Sequence, residues 1–286
     1  MKKKKSTIKE IFVSALQNHQ KNNFKVAEKL YKDILKINPK HFESIFYLGA
    51  LLVQNKNFIR ARKFLQKAIE IQPNHVVAHN NLGVALKELG ESKKAMSHFE
   101  RTIQIDPNFA SGHYNLGVVF QKSEESKKAM SHLQKAIQIN PNYAAAHNNL
   151  GNEFEKLKEL QKAKSCYEKA IKIRPNHALF HNNLGVALKK LREYKKAMSH
   201  FERAIQIDPN HVNAYIGAGM VLSELNYISK AKKYYEKALN LDPNRKETCD
   251  AYGDILLRLN QHSKALAYIR KGAGFIRFKQ KDFKVI

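Results

Sequence analysis

Residues 78–83 read AHNNLG, and the same six letters return at 146–151. Close variants stand at 112–117 (GHYNLG) and 180–185 (FHNNLG). Histidine beside asparagine offers two chemistries: imidazole nitrogens for a metal, and carboxamides for a sugar or a peptide. Each carboxamide has two N–H donors and an acceptor oxygen, so it can pair with an extended backbone whatever side chains that backbone carries. Eleven of the thirteen histidines fall into three series: His79, His113, His147 and His181; His98, His132 and His200, with Cys166 in the same phase; and His41, His75, His177 and His211, each two residues after a proline. None pairs two histidines at i,i+4 within a unit, and a full repeat or more separates the members of each series. No compact shell of three or four ligands forms, so no metal or cofactor is expected and the histidines are read as helix-packing residues. The chain also lacks a recognisable nucleophile–base pair, a paired-carboxylate cleft and a glycine-rich phosphate loop, so it is read as a non-enzyme.

What places these residues is a period. The seven prolines, Pro39, Pro73, Pro107, Pro141, Pro175, Pro209 and Pro243, are each 34 residues after the last. Gly49, Gly83, Gly117, Gly151, Gly185, Gly219 and Gly253 keep the same interval, and so does an alanine series from Ala27 to Ala265. Such fidelity marks a stack of supersecondary units. In 76–109 the apolar residues Leu82, Ala85, Leu86 and Leu89, then Ala95, Phe99 and Ile103, recur at helical spacing, which predicts helices over 76–89 and 93–105. Gly90 can end the first helix. Proline ends the second, because it cannot donate to the helix ladder.

A glycine inside a helix costs about 1 kcal/mol relative to alanine, so seven of them imply a steric need. The expectation is that they mark close helix approach, met by the alanine series from the second helix. The large residues Tyr31, Leu65, Phe99, Leu133, Tyr167, Phe201, Tyr235 and Ile269 are expected to fill the space between neighbouring units.

Net charge is +26, from 51 Lys and Arg against 25 Asp and Glu. That favours acidic partners. The excess is lysine spread along the whole chain, without a phosphate-tracking stripe, and nucleic acid is ranked below protein as a partner. Cys166 and Cys249 give neither a disulfide framework nor a CxxC metal site. No run approaches the ~20 apolar residues of a membrane span. The basic start MKKKKSTIKEIFVSAL has a signal-like flank but a short apolar stretch, and the expected location is cytoplasmic, with no membrane contact.

The small residue in the first helix, the alanine opening the second, the large residue four positions on and the closing proline together resemble the tetratricopeptide repeat family. Units starting at 8, 42, 76, 110, 144, 178, 212 and 246 fit this pattern, although the first carries Ala15 in place of the glycine and the last lacks its proline. The resemblance implies an all-α solenoid, a right-handed superhelix of about eight helix–turn–helix repeats spanning 8–271, between a basic tail at 1–7 and a C-terminal tail at 272–286. Gly272 and Gly274 are expected to break the last helix, ahead of a strand-like FIRFKQKDFKVI.

The resemblance also implies that the sixth residue of each first helix points into a concave groove. That place holds Asn81, Asn115, Asn149 and Asn183, and the residue before it is Asn80, Tyr114, Asn148 or Asn182. The end units depart, with Tyr47, Gly217 and Ala251 at the ladder position. This series is similar to the repeat region of O-linked N-acetylglucosamine transferases, whose asparagines hold extended polypeptide. Nothing in the chain resembles the catalytic domain of those enzymes. The competing reading is that the amides brace neighbouring helices. Lys87 and Lys189 follow at a second inward phase and bias the groove toward an acidic partner.

Residues 80–108 match 182–210 at 25 of 29 positions, a three-unit duplication that suits extended recognition better than one catalytic pocket. The expected function is a protein-interaction scaffold binding an extended peptide. The alternatives are a substrate-recognition module of a protein-modifying enzyme such as a glycosyltransferase, and an RNA-binding solenoid. Self-association is open to such a fold.

Overall fold

The computed structural model describes residues 7–273. The basic tail, apart from Thr7, and the tail from Gly274 onward lie outside the described residues. The chain divides into two units, Met1–Pro141 and Asn142–Ile286.

The first unit holds four helix pairs: α1 (Ile8–Gln20) with α2 (Phe24–Ile37), α3 (Phe42–Gln54) with α4 (Phe58–Ile71), α5 (Val76–Glu88) with α6 (Ser92–Ile105), and α7 (Ala110–Lys122) with α8 (Ser126–Ile139). The second holds four more: α9 (Ala144–Lys156) with α10 (Leu160–Ile173), α11 (Ala178–Lys190) with α12 (Tyr194–Ile207), α13 (Val212–Glu224) with α14 (Ile228–Leu241), and α15 (Lys246–Arg258) with α16 (His262–Ala273). Within each unit the helices of a pair pack on each other, and the second helix of one pair packs on the first helix of the next. The first helices also touch directly, α5 against α3 and α7 in one unit, α11 against α9 and α13 in the other. Each unit is thus a helical solenoid of four stacked repeats.

The turn inside each repeat has a recurring backbone and a variable sequence. Asn22, Lys56, Gly90, Glu124, Lys158, Arg192, Asn226 and Asn260, spaced by the repeat, all adopt positive φ between 56° and 80°. Gly90 does stop its helix in the left-handed region, as the sequence suggests. Seven other repeats hold a non-glycine residue in the same strained conformation, which only glycine adopts without cost.

The packing role of the glycines differs from expectation. A Cβ on Gly83 would lie 2.5 Å from Cε1 of Phe99, and one on Gly151 would lie 2.6 Å from Cε1 of Tyr167. The glycine therefore makes room for the large residue of its own repeat, and not chiefly for the alanine. Those large residues sit inside the pair as well as between pairs, and Tyr31, Phe99, Tyr167 and Phe201 are wholly buried. Gly272 does not break α16, which runs on to Ala273. It is buried where α16 passes close to the Lys246 carbonyl and Asp250 of α15.

Candidate functional site

Within each unit the first helices of successive repeats lie side by side, so one residue per helix lines a common face. The ladder asparagines sit there, and their carboxamides are wired to the preceding repeat. In the first unit Asn115 donates through Nδ2 to Asn80 Oδ1 at 2.8 Å. In the second, Asn183 donates through Nδ2 to Asn148 Oδ1 at 2.9 Å and lies 3.3 Å from Asn152 Oδ1. The bond needs two residues: an asparagine at the fifth place of one first helix, and another at the sixth place of the next.

The four rungs are consequently not equivalent. Asn81 is half-buried and makes no side-chain hydrogen bond among the described residues, since Phe46 and Tyr47 occupy the matching places of the preceding repeat. Asn115 is buried and commits its donor. Asn149 accepts from Asn148 Nδ2 at 3.3 Å, and Asn183 likewise accepts from Asn182 Nδ2 at 3.3 Å. Tyr114 is half-buried in the same row. Asn80, Asn148 and Asn182 are buried at the fifth position, where Tyr114 is half-buried; at the sixth, Asn81, Asn149 and Asn183 are half-buried and Asn115 is buried.

Asn182 breaks the pattern. It is 5% exposed, and its Oδ1 is buried without a hydrogen-bond partner. In the repeat that follows, the place of the donating asparagine belongs to Gly217.

Lys87 and Lys189 are less free than expected. Lys87 Nζ is 3.1 Å from Glu88 with the side chain 16% exposed, and Lys189 Nζ is 3.7 Å from Glu224 at 20% exposed. Lys189 also lies 3.6 Å from the sulfur of Met220. The positive bias on this face is therefore partly neutralised.

Sequence reasoning passed over Asn152. It stands in a column that is otherwise Val84, Val118 and Val186 in neighbouring repeats, and that departure was the available signal. The Tyr167 hydroxyl lies 2.8 Å from Asn152 Oδ1 and 2.9 Å from Glu155 Oε2, and can donate to one at a time. Glu155 also takes the Lys190 ammonium at 2.7 Å. The second unit thus carries a continuous polar chain from Asn148 through Asn183 and Asn152 to Tyr167.

The histidines prove to be wiring between elements. His79 and His98, His113 and His132, and His181 and His200 face each other with Nδ1–Nδ1 distances of 3.0, 3.2 and 3.0 Å. The Nε2 atoms of His79, His113 and His181 lie 2.9, 3.0 and 2.9 Å from the carbonyls of Pro73, Pro107 and Pro175. A carbonyl only accepts, so Nε2 carries the proton and Nδ1 is left to accept from the second histidine. Burial holds His98 and His132 below the ordinary imidazole range, assisted by the facing histidine. The same causes bring His200 down to about 4. In the third series His41 and His75 are helix N-caps, accepting from the backbone N–H of Ser44 and Ala78 at 3.2 and 3.1 Å. Among the described residues no group of three or more metal-ligating side chains comes together.

The architecture and this face define a class: a helical-repeat scaffold with an uncharged polar row along its first helices. Tetratricopeptide repeat models match residues 42–108, then 110–143, 144–177 and 178–211, and finally 212–245. The chain belongs to the tetratricopeptide repeat family. The matched stretches keep the register read from the prolines, and α1–α2 and α15–α16 extend the same packing beyond them at both ends.

Among solved structures, PilF of Pseudomonas aeruginosa is similar at 21% identity with a TM-score of 0.62, over 68% of this chain and 88% of that one. YrrB, a tetratricopeptide protein with an unusual peptide-binding site, is 21% identical with a TM-score of 0.55, over 69% and 97%. The Cut9–Hcn1 hetero-tetramer of the APC/C is 16% identical with a TM-score of 0.69, over 92% of this chain and 52% of the matched one. At these identities the likeness is one of fold. No curated protein matches the chain. Among the described residues no helix is long and apolar enough to cross a membrane.

Proposed function

We propose that this protein is an interaction scaffold that holds an extended peptide segment along the row of its first helices. The observation that carries the reading is the pair of carboxamides at one phase of successive first helices within each unit, with the donors of Asn115 and Asn183 turned to the preceding repeat. Stacked repeats present extended surfaces of this kind. Because Asn115 and Asn183 spend Nδ2 on the preceding repeat, the row offers mainly acceptor oxygens to a guest. Such a row selects N–H groups, which every extended backbone supplies at regular intervals.

On this reading Asn115 and Asn183 brace the preceding repeat with a donor and turn an acceptor to the guest. The likeness to transferase repeats rests on this row alone, and a substrate-recognition role in a protein-modifying assembly would use the same face. With Lys87 and Lys189 partly neutralised, the reading does not require an acidic guest. The cytoplasmic location stays part of this proposal.

Asn81 gives the clean test, because its side chain braces nothing. A randomised peptide library is selected against the full chain, and the enriched peptides are measured by fluorescence polarisation. Asn81→Ala is expected to weaken Kd by about tenfold, the worth of one hydrogen bond at the upper end of its range. The variant's melting temperature should not move. Equal affinity for both forms would remove the row from recognition. Capture of RNA that modest salt abolishes would favour the nucleic-acid alternative.

A further inference from the structure

The one acidic residue of α14 is committed away from two of its lysines. Glu236 takes the Lys232 ammonium at 2.8 Å and the Tyr252 hydroxyl at 2.8 Å. Lys233 and Lys237, one turn apart on the same helix, are exposed and make no ion pair or hydrogen bond among the described residues. They border a cavity of about 450 Å³ whose other wall is α12. Ile205 of α12 and the rings of Tyr215 and Tyr234 give it an apolar lining, with the ring centroids 6.3 Å apart. Its one carboxylate, Glu202, accepts from the Tyr234 hydroxyl at 3.4 Å. Tyr215 stands two residues before Gly217, the row position of α13, and so points about 200° round the helix from the row. The cavity therefore belongs to the face of the second helices and not to the carboxamide row.

The internal duplication shows what is particular to this place. The α12 wall is a copy: Glu202 and Ile205 repeat Glu100 and Ile103, 102 residues earlier. The residues facing that wall are not copies. Tyr215, Lys233 and Tyr234 stand where the earlier block is followed by His113, Ser131 and His132. Those two histidines bond each other at 3.2 Å, and His113 is anchored on the Pro107 carbonyl. Tyr215 makes no hydrogen bond among the described residues, so its hydroxyl is open to a ligand. A ring flanked by two lysines recurs on α4, where Lys63, Phe64 and Lys67 border a cavity of about 350 Å³.

We infer that this cavity is a separate docking site for an acidic segment of a partner protein, which seats a large apolar side chain against Ile205, Tyr215 and Tyr234 and sets a carboxylate on Lys233 and Lys237. Residues two apart on an extended segment share a face at about 7 Å, so an apolar side chain in the cavity brings such a carboxylate to the lysine rim. The excess positive charge of the chain favours an acidic partner, and here it is uncommitted, whereas Lys87 and Lys189 are partly neutralised. A cationic segment would meet two ammonium groups. A nucleic-acid strand fits less well, because it brings a phosphate with every unit to a cavity that also holds Glu202. A free small molecule fits less well too, because the rim is exposed and sites for such ligands enclose most of the ligand surface.

Short Ser/Gly peptides with blocked ends test the site on the full chain. Each carries Phe and, two residues on, Glu, Gln or Lys; a further one carries Ser in place of Phe beside Glu. Binding is followed by amide NMR shifts. The Phe–Glu peptide is expected to shift Tyr215, Lys233, Tyr234 and Lys237. Replacing its Glu by Gln should weaken Kd about tenfold, within the reach of two exposed ion pairs. The double variant Lys233→Gln, Lys237→Gln should weaken the Phe–Glu peptide by the same factor and leave the Phe–Gln peptide unchanged. The Lys peptide and the Ser peptide should not bind. Tyr215→His with Tyr234→His copies the His113–His132 pair and should abolish the shifts. If that variant fails to fold, the lysine variant, which alters only exposed side chains, carries the test. Equal Kd for the Glu and Gln peptides, or indifference to the lysine substitutions, would overturn the site. Shifts of the same amides by decauridylate and not by peptide would overturn it in favour of nucleic acid. Peptide shifts confined to the first helices would overturn it and leave the carboxamide-row reading standing.

Discussion

A facing pair of imidazoles holds one shared proton between its two Nδ1 atoms, and a second proton there has no acceptor. His98, His132 and His200 sit in such pairs, and burial already opposes their charging. The sign follows from linkage: below the ordinary value of 6.5 the unfolded chain binds protons that the folded one refuses, so stability falls as pH falls. For His200 the loss runs from about 6.5 down to its folded value of about 4. The ion-paired carboxylates Glu28, Glu91, Glu193 and Glu236, held below their ordinary 4.5 first by hydrogen bonds to lysines, add their own loss as pH falls toward that value and below it. The interval from 6.5 to about 5.5 therefore belongs chiefly to the histidines. Melting temperature followed by circular dichroism should drop across it. A His98→Cys, His132→Cys, His200→Cys variant, which copies Cys166 in the same phase, should show a shallower drop. An unchanged slope would mean that the pairs accept protons without strain.

At the scale of the element, the repeat was legible because proline, glycine and alanine each answer to a local backbone or steric demand, and a local demand recurs with the period. What lies across from a residue is not local. The glycines were legible as sites of close approach, but their counterpart was misassigned to the alanines, because phase within a helix does not say which residue of the opposite helix leans over it. The His79–His98 pair spans a turn, and the Asn80–Asn115 bond joins two repeats, so neither has a spacing that periodicity brings out. The left-handed turn residue was legible only at Gly90, since Lys56, Glu124 and Arg192 have no composition in common. The corrected counterpart can be tested. Gly83→Ala sets a methyl 2.5 Å from the Phe99 ring, which is wholly buried and has nowhere to go. Overpacking of this kind should cost about 1–3 kcal/mol by urea unfolding. Phe99→Leu, the residue type found at Leu65 and Leu133, should recover part of it in the double variant. The chain itself carries Ala15 at the place of Gly83 and Tyr31 at the place of Phe99 in its α1–α2 repeat, both wholly buried. Full additivity of the two substitutions would show that Gly83 and Phe99 do not share the strain.

Over the whole molecule the charge is one-sided: 51 basic side chains face 25 acidic ones, and no block of sequence holds the excess. Part of the acidic complement is fixed by geometry. Glu91 takes both Arg62 and Lys94, and Glu193 takes both Lys164 and Lys196, each at 2.7 or 2.8 Å, so these carboxylates tie one repeat to the next. Exposed pairs of this kind contribute little and weaken with salt. The unpaired lysines repel one another over longer distances, and that repulsion weakens with salt too. Which term wins is a matter of number and range. The excess of 26 positive charges outnumbers the cross-repeat ties, and repulsion is summed over many neighbours while each tie is a single contact. Raising sodium chloride from about 0.01 M to about 1 M shortens the screening length from about 30 Å to about 3 Å. The melting temperature should therefore rise with salt. A fall would show that the carboxylate ties between repeats outweigh the lysine field. The same titration read on a bound peptide tests the guest's charge: an acidic guest should release steeply with salt, whereas one held by the carboxamide row should release little, because neutral hydrogen bonds are not screened.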